Sequence, residues 1–314
     1  MKSPFVSLFL VLLLFACLTP SAQAAGTVTR STSVISVITS IKPLQLIAAA
    51  ITDGISTPDV LLGPGLSPHN YSMKPSDIRR LTEAGIVFWL GPELEAFLER
   101  PLRQVADADV SRQRIVALIS APGMYLRKWN SEEHHHDDHG HHGSVDSHVW
   151  LSPGNAIAIG KAMTHALVTV DPRNAPRYRE NLTFFISQVT ASDLANNESL
   201  AAIRQYGFFV FHDAWGYFAD HYRLTIKGVF VLSPDRQPGA RHLTKLKDSL
   251  RRAGRTCIFR EPQLEPTYIG RLTEGLNVRE AVLDPMAGNI PVSANGYPAY
   301  LRHVGSTIAK CLSG

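Results

Sequence analysis

Imidazole side chains give the most specific chemical signal in this sequence. Six of its 13 histidines fall within nine positions, in the stretch HHHDDHGHH over residues 134–142. Imidazole nitrogen binds borderline metal ions such as zinc and nickel, and a segment with almost no apolar residues can hardly build a core. The stretch predicts a polar loop with weak metal sites, and a purely solvated loop is the alternative. The histidines concerned are His134, His135, His136, His139, His141 and His142.

Three isolated histidines and one aspartate are better placed to form a fixed site. His69 follows a predicted strand and a Gly-Pro-Gly turn, and His148 precedes a predicted helix. His212 and Asp284 each follow an apolar run. Ligands bind open α/β sheets outside the carboxyl ends of the strands, where these side chains could converge. Three neutral imidazoles and a carboxylate suit zinc, whereas more oxygen ligands would favour manganese. Taken alone, a histidine such as His148 or His212 is more often a hydrogen-bonded core residue than a metal ligand.

Short apolar runs alternate with helical segments along the chain, and they predict the elements that would position these residues. In the first half we expect strands at 34–39, 60–62, 86–90 and 115–119, with helices at 43–51, 75–84 and 93–106. In the second half we expect strands at 208–211, 228–232, 256–259 and 280–283, with helices at 215–222, 241–253, 266–275 and 298–312. Strands separated by single helices favour parallel pairing. The sequence therefore predicts an α/β fold of two lobes, each a parallel-type sheet flanked by helices.

The two predicted lobes are separated by a largely helical region. Residues 155–169 predict one helix, and residues 175–204 predict a second helix of about 45 Å at 1.5 Å per residue. Such a helix would connect the lobes as a stiff strut, and two helices with a kink near Ser192 are the alternative. We therefore divide the chain into an N-terminal lobe at 25–152 with a His-rich loop at 132–145, connecting helices at 153–206 and a C-terminal lobe at 207–314.

The N-terminus has the pattern of a secretory signal peptide. Lys2 precedes the apolar run 5–16, and Ala22-Gln23-Ala24 forms a small-residue cleavage site, which predicts a signal peptide over residues 1–24. Lipid attachment at Cys17 is the less favoured alternative. Later apolar stretches fall short of the roughly 20 residues of a transmembrane helix, so we expect an exported, soluble mature chain that does not span the membrane.

Removal of the signal would leave Cys257 and Cys311 as an even pair, which in an exported chain predicts a disulfide. Two buried free thiols are the alternative.

The net charge of +4 is modest, and the basic cluster at 245–255 has no aromatic residues interleaved with it, so nucleic acid is not an expected partner. The chain contains no His-Glu-x-x-His, Gly-x-Ser-x-Gly or phosphate-binding glycine loop, which argues against an enzyme.

Four separated motifs also carry a family resemblance. PHNYSMKPSD around His69, HVWLSP at His148, VFHDAWGYF around His212 and LDPMAGNI around Asp284 resemble, in family order, the ZnuA family. These proteins are the zinc-binding solute receptors of bacterial zinc-uptake ABC transporters. The resemblance extends from about residue 34 to the C-terminus.

The resemblance implies two α/β lobes joined by a long rigid helix, with one metal ion in the cleft between them. His69, His148 and His212 would be the zinc ligands, and Asp284 a fourth ligand or a close neighbour. A His-rich loop is a family trait, and the cysteine pair matches a disulfide of some members. Some members have an acidic residue directly before the first histidine, where this chain has Pro68, so the fourth position could belong to Asp284 or to water.

The expected function is therefore that of a periplasmic receptor, a monomer, that captures Zn²⁺ and delivers it to a membrane permease driven by an ATPase. A manganese or iron receptor of the same architecture is one alternative. A secreted zinc-dependent hydrolase with an activated water is another, and a metal buffer or adhesin without a transporter is a third.

Overall fold

The computed structural model describes residues 34–108, 114–128, 145–231, 238–263, 269–276 and 278–314, and residues Val34–Gly314 belong to one compact unit. The predicted signal peptide at 1–24 and the six histidines of the His-rich stretch lie outside the described residues. No helix within the described residues is both long enough and apolar enough to cross a membrane.

The first lobe is built on a four-stranded parallel sheet in the order β2-β1-β3-β4. Its strands are short apolar runs, and proline stands in the first turn of α1 and α2, where the missing N–H has no partner to lose. The backbone of α3 leaves helical geometry at Glu95. The elements are β1 Val37–Thr39, α1 Lys42–Ile51, β2 Asp59–Val60, α2 Pro75–Glu83, β3 Ile86–Trp89, α3 Pro92–Ala108 and β4 Arg114–Ala117.

The second lobe repeats this topology, with the parallel order β6-β5-β7-β8. In each lobe the first strand lies between the second and the third, so the carboxyl ends of the first and third strands lie at the point where the chain reverses direction across the sheet. The elements are β5 Gly207–His212, α6 Gly216–Tyr222, β6 Thr225–Val231, α7 Ala240–Arg252, β7 Cys257–Arg260, α8 Ile269–Thr273 and β8 Arg279–Val282. The predicted α/β fold with two parallel-sheet lobes is confirmed.

Three long helices accompany the two sheets. They are α4 Pro153–Val170, α5 Ala175–Ala201 and α9 Gly296–Ser313. A short 3₁₀ helix, Val149–Leu151, precedes α4. Helix α5 runs through Ser192 as one helix of 27 residues, about 40 Å long, and it ends three residues before the predicted boundary. It packs against α1, α4 and α9, so it contacts helices from both ends of the chain.

Side-chain contacts hold α5 in place along its length. The Asn181 amide donates to the backbone carbonyls of Ile51 and Asp53 at the end of α1. The Asn196 amide donates to the carbonyl of Leu301 in α9 at 2.8 Å. Helix α9 is joined in turn to the second sheet, because Cys311 forms a disulfide with Cys257 at the start of β7. The predicted disulfide is confirmed.

Candidate metal centre

His212 and Glu261 occupy adjacent strand ends in the second sheet. His212 is the last residue of β5, and Glu261 follows the last residue of the neighbouring strand β7. Both side chains are buried, and Nδ1 of His212 lies 2.5 Å from Oε1 of Glu261. This contact fixes the ring so that its other nitrogen, Nε2, faces away from the carboxylate.

His148 has a similar carboxylate partner, supplied by its own segment. It caps the 3₁₀ helix Val149–Leu151, and its Nδ1 lies 2.8 Å from Oδ1 of Asp146. The same carboxylate oxygen accepts the backbone N–H of His148 at 3.0 Å. Asp146 is completely buried, so the ring of His148, like that of His212, is oriented by a buried carboxylate.

His69 approaches from the loop that follows β2. Gly65 has a φ of +79° there, a conformation that glycine adopts easily and that lets the chain turn back toward the cleft. The buried ring of Pro68 precedes the partly buried His69 and lines the same small cavity. No carboxylate therefore stands directly before this histidine, as the sequence indicated.

The three imidazoles meet although they come from distant parts of the chain. Their ring centroids lie 5.2 to 5.7 Å apart, and one nitrogen from each ring lies within 4.8 Å of the others. The cavity between them has a volume of about 20 Å³, enough for one water-sized occupant. Trp150, Pro285 and Met286 form its apolar wall. The arrangement is therefore sized for a single small ion.

The hydrogen bonds determine which nitrogens are available to a ligand. An ionised carboxylate only accepts, so Asp146 and Glu261 favour the tautomers in which Nδ1 of each histidine carries the proton. In the neutral rings Nε2 then carries a lone pair, and the two Nε2 atoms lie 3.3 Å apart. Two lone pairs that face each other in a buried cavity need a hydrogen-bond donor or a cation between them. This is the donor arrangement of a carboxylate–histidine–metal site.

Burial and charge act in opposite directions on His212. Burial disfavours the charged imidazolium, but the carboxylates of Glu261, Asp213 and Asp146 together raise the pKa of His212 above its ordinary value. A more basic imidazole is also a stronger ligand for a metal ion. The same carboxylate thus favours a proton and a divalent cation, which compete for one lone pair.

Asp284 immediately precedes two residues that line the cavity, Pro285 and Met286, and its carboxylate has hydrogen-bond partners of its own. Its Oδ1 accepts the side-chain amide of Gln263 and the backbone N–H of Met286, and its Oδ2 accepts the backbone N–H of Gly288. Within the described residues, the group of ligand atoms that lie within 4.8 Å of one another contains the three histidines and not Asp284. Gln263 and Met286 line the cavity, so Asp284 is a near neighbour, and its role as a fourth ligand stays a prediction.

Asp146 and Glu261 were not predicted as site residues. Asp146 is part of the motif that contains His148, and its position two residues before a candidate ligand was the available signal. For Glu261 the signal was an acidic residue directly after a predicted strand. That signal gains meaning only when the strand order places β7 next to β5, which the sequence pattern does not determine.

The fold and the site together define a metal-binding solute receptor of two lobes. The family model described as zinc-uptake complex component A, periplasmic (ZnuA), matches residues 37–311. The high-affinity zinc uptake system protein ZnuA of Yersinia pestis is 37% identical over 293 residues, covering 88% of this chain and 91% of that protein. The protein of the same name from Haemophilus ducreyi is 33% identical, covering 88% and 93%. The chain therefore belongs to the ZnuA family, and the resemblance seen in the sequence is confirmed.

Solved structures share the fold at lower sequence identity. A crystal structure of ZnuA matches with a TM-score of 0.75 and 24% identity, covering 89% of this chain and 99% of that chain. The laminin-binding adhesin of Streptococcus agalactiae matches with the same TM-score and 18% identity, covering 89% and 100%. At such identities these structures establish the two-lobed architecture alone.

Proposed function

We propose that this protein captures Zn²⁺ outside the cytoplasm and delivers it to the membrane permease of an ATP-driven uptake system. The observation that carries the proposal is the meeting of three imidazoles around a cavity for one ion, two of them with Nδ1 turned to buried carboxylates. The Yersinia and Haemophilus relatives are named for high-affinity zinc uptake, which agrees with this donor set.

His69, His148 and His212 are the proposed ligands, with Asp284 or a water molecule in the fourth position. Zinc favours tetrahedral coordination by nitrogen and oxygen, and three neutral imidazoles with one oxygen satisfy it. A manganese site is expected to contain more oxygen ligands, so the three-histidine set favours zinc over the manganese or iron alternative. In this proposal Zn²⁺ is cargo that leaves unchanged, and the protein catalyses no reaction.

The remaining assignments belong to the same proposal. Residues 1–24 act as a cleaved signal peptide that sends the chain to the periplasm, where it works as a monomer. The lobes at 25–152 and 207–314 form the cleft, and the region 153–206 between them acts as a rigid connection. The histidines of the 132–145 loop bind further zinc ions weakly.

Metal analysis and calorimetry of the mature protein test the main assignment. We expect one tightly bound zinc ion per chain, lost in His148→Ala and in His212→Ala. His303→Ala is the matched control, because His303 is an exposed histidine on α9. Tight zinc binding that survives in both cleft variants would rule out the proposed site.

The loop is tested separately, with alanine at all six of its histidines. We expect that variant to keep the tight ion and to lose the weaker ones. If it bound every ion that the parent binds, the loop would have no role in metal binding.

A further inference from the structure

One arginine near the metal centre contacts both the segment that carries His148 and the helix that follows His212 in the chain. Arg127 follows the first sheet, and its side chain is 19% exposed. Its Nη1 lies 3.3 Å from Oδ2 of Asp146, and its Nε donates to Oδ2 of Asp220 at 3.1 Å. Asp146 is the hydrogen-bond partner of His148, whereas Asp220 lies on α6. The guanidinium therefore joins the His148 segment to α6.

The backbone of Arg127 adds two further contacts to this connection. Its carbonyl accepts the N–H of Asp146 at 2.8 Å, and its N–H donates to the hydroxyl of Tyr217 on α6 at 2.8 Å. The Tyr217 hydroxyl donates in turn to the carbonyl of Asp146 at 2.7 Å. Both the main chain and the carboxylate of Asp146 are therefore fixed by Arg127 and Tyr217. Because Asp146 orients the His148 ring, these contacts determine where that ring points.

Helix α6 begins four residues after His212, so only a short segment separates it from that histidine. At its first residue, Gly216, a Cβ atom would lie within 2.4 to 2.7 Å of the Arg127 guanidinium. Only glycine allows the guanidinium to pack this closely across the start of the helix. Arg127 thus contacts the His148 segment on one side and the element that continues from His212 on the other.

The charges around Arg127 determine in which direction zinc affinity would change if the arginine acted through its charge alone. Three carboxylates, those of Asp146, Asp213 and Asp220, interact with the Arg127 guanidinium. Against burial, they raise the pKa of Arg127, so the side chain is a permanent cation beside the site. A fixed positive charge repels a divalent cation, and removing it by itself would tighten zinc binding. A loss of zinc binding on removal of Arg127 must therefore come from lost geometry.

We propose that Arg127 is a positioning residue, which holds His148 and His212 at the spacing that one Zn²⁺ requires and thereby slows release of the ion. This inference rests on the proposed zinc-capturing function. It assigns retention of the cargo to a residue outside the ligand set, acting through Asp146 and α6.

The test measures zinc dissociation from the full mature chain by stopped-flow transfer to a chelator, together with the equilibrium affinity. Substitutions of residues that orient metal ligands typically change affinity about 10- to 100-fold. We expect Arg127→Gln to accelerate dissociation by about that factor. Arg127→Lys keeps the charge, but its single ammonium nitrogen cannot reproduce the spacing between Nε and Nη1, and we expect about 10-fold faster release. Arg103→Gln is the matched control, because Arg103 pairs with Glu99 on the surface of α3 and should leave the rate unchanged.

A spectroscopic measurement separates positioning from a general loss of structure. Co²⁺ bound in place of zinc reports its coordination geometry through its visible absorption bands. We expect these bands to change in Arg127→Gln and to match the parent in Arg103→Gln. Unchanged bands, or unchanged or slower dissociation in Arg127→Gln, would overturn the inference.

Two further variants keep the test decisive if Arg127→Gln does not fold. Arg127→Lys is the milder replacement. Asp220→Asn weakens the ion pair between Arg127 and α6, at a residue whose side chain is 53% exposed. Parental dissociation rates in both would overturn the inference. If the parent itself binds no tight zinc, or if His148→Ala leaves it unchanged, the proposed function fails instead. The positioning role alone is refuted if the parent binds zinc tightly, His148→Ala loses this zinc, and Arg127→Gln releases zinc at the parental rate.

Discussion

The Nε2 atoms of His148 and His212 lie 3.3 Å apart, although 64 positions separate the two residues in the sequence. Each ring uses its Nδ1 on a buried carboxylate, so the two Nε2 atoms are left facing each other. A proton or a cation between the two rings relieves the repulsion between their lone pairs. The carboxylates therefore prepare the site for a metal ion before any ion arrives.

Glu261 is predicted to strengthen zinc binding without being a ligand. In Glu261→Gln the neutral amide no longer stabilises the proton on Nδ1 of His212, and a wrongly oriented amide can reverse the tautomer. We expect zinc affinity to fall about 10- to 100-fold in a competition titration against a chelator. Glu280→Gln is the control, since Glu280 on β8 forms an ion pair with Arg260 on β7. Equal affinities of the two variants would show that Glu261 does not support the site.

Zinc binding is predicted to weaken as the pH falls, because the metal requires neutral imidazoles. Burial lowers the pKa of His212, but the carboxylates of Glu261, Asp213 and Asp146 together raise it above its ordinary value. Proton competition should therefore begin above the ordinary histidine value of 6.5. Calorimetric titrations between about pH 5.5 and 8.5 should show this, and Glu261→Gln should shift the decline to lower pH. An affinity that does not change over this range would contradict the assignment of His212.

The metal-free protein should show the opposite dependence at this residue. A histidine whose folded pKa exceeds its unfolded value contributes stability that is fully present below the unfolded pKa. That contribution is lost as the pH rises through the folded pKa. A proton stabilises this site at low pH and zinc at high pH, so zinc should raise the unfolding temperature most where the pH exceeds the raised pKa of His212.

The placement of His69, His148 and His212 could be predicted because it depends on local pattern. Buried strands are recognisable as short β-branched and aromatic runs, and polar residues that follow them lie at one edge of a parallel sheet. The strand and helix alternation also gave the number of lobes. These features are encoded within a few residues of each position.

The partners of the site residues depend on distant packing, and the sequence pattern did not reveal them. Glu261 becomes a partner of His212 only because β7 pairs with β5. The role of Asp284 as a fourth ligand stays a prediction, because its carboxylate accepts N–H groups of Met286 and Gly288, which follow it in a tight turn. The unbroken course of α5 through Ser192 depends on its packing against α9, and periodicity alone left a kink possible.

The Cys257–Cys311 disulfide is predicted to stabilise the fold. It closes a loop across a sequence separation of 54 residues and joins β7 to α9. In the chain-entropy model, such a loop contributes about 4 kcal/mol by restricting the unfolded chain. Alanine at both positions should lower the free energy of unfolding in urea by about that amount. A reductant should lower the stability of the parent toward the variant and leave the variant unchanged, and equal stabilities would refute the prediction.

Gly305 on α9 is predicted to be required for the contact between α5 and α9. A Cβ at this position would meet the buried amide of Asn196, which bonds Leu301 across the same interface. Gly305→Ala should therefore lower the free energy of unfolding by about 1 to 3 kcal/mol. Gly154→Ala is the matched control, because a Cβ at this position in the first turn of α4 has only Ser152 within 4 Å, at 3.7 Å. Similar stabilities of both variants would mean that the α5–α9 interface accommodates the added methyl group at little cost.

Glu95 is predicted to make the metal-free protein less stable as the pH rises. Its side chain is fully buried and accepts the backbone N–H of Leu90 at 2.7 Å, and burial raises its pKa from 4.5 to about 7. Between these two values the folded state holds a proton that the unfolded chain has released. Stability should therefore fall as the pH rises from about 4.5 to about 7, by up to about 3 kcal/mol, and then level off.

Glu95→Gln should remove this decline, because glutamine keeps an acceptor for Leu90 but carries no charge at any pH. Unfolding in urea between pH 5 and 8 should give a flatter profile for the variant and a higher stability than the parent at pH 8. Glu99→Gln, an exposed glutamate on the same helix that pairs with Arg103, should retain the parental slope. If Glu95→Gln kept the parental slope of stability against pH, the carboxylate of Glu95 would already be ionised in the folded state at pH 5. The N–H groups of Leu90 and Gly91 would then stabilise the charge more than burial disfavours it.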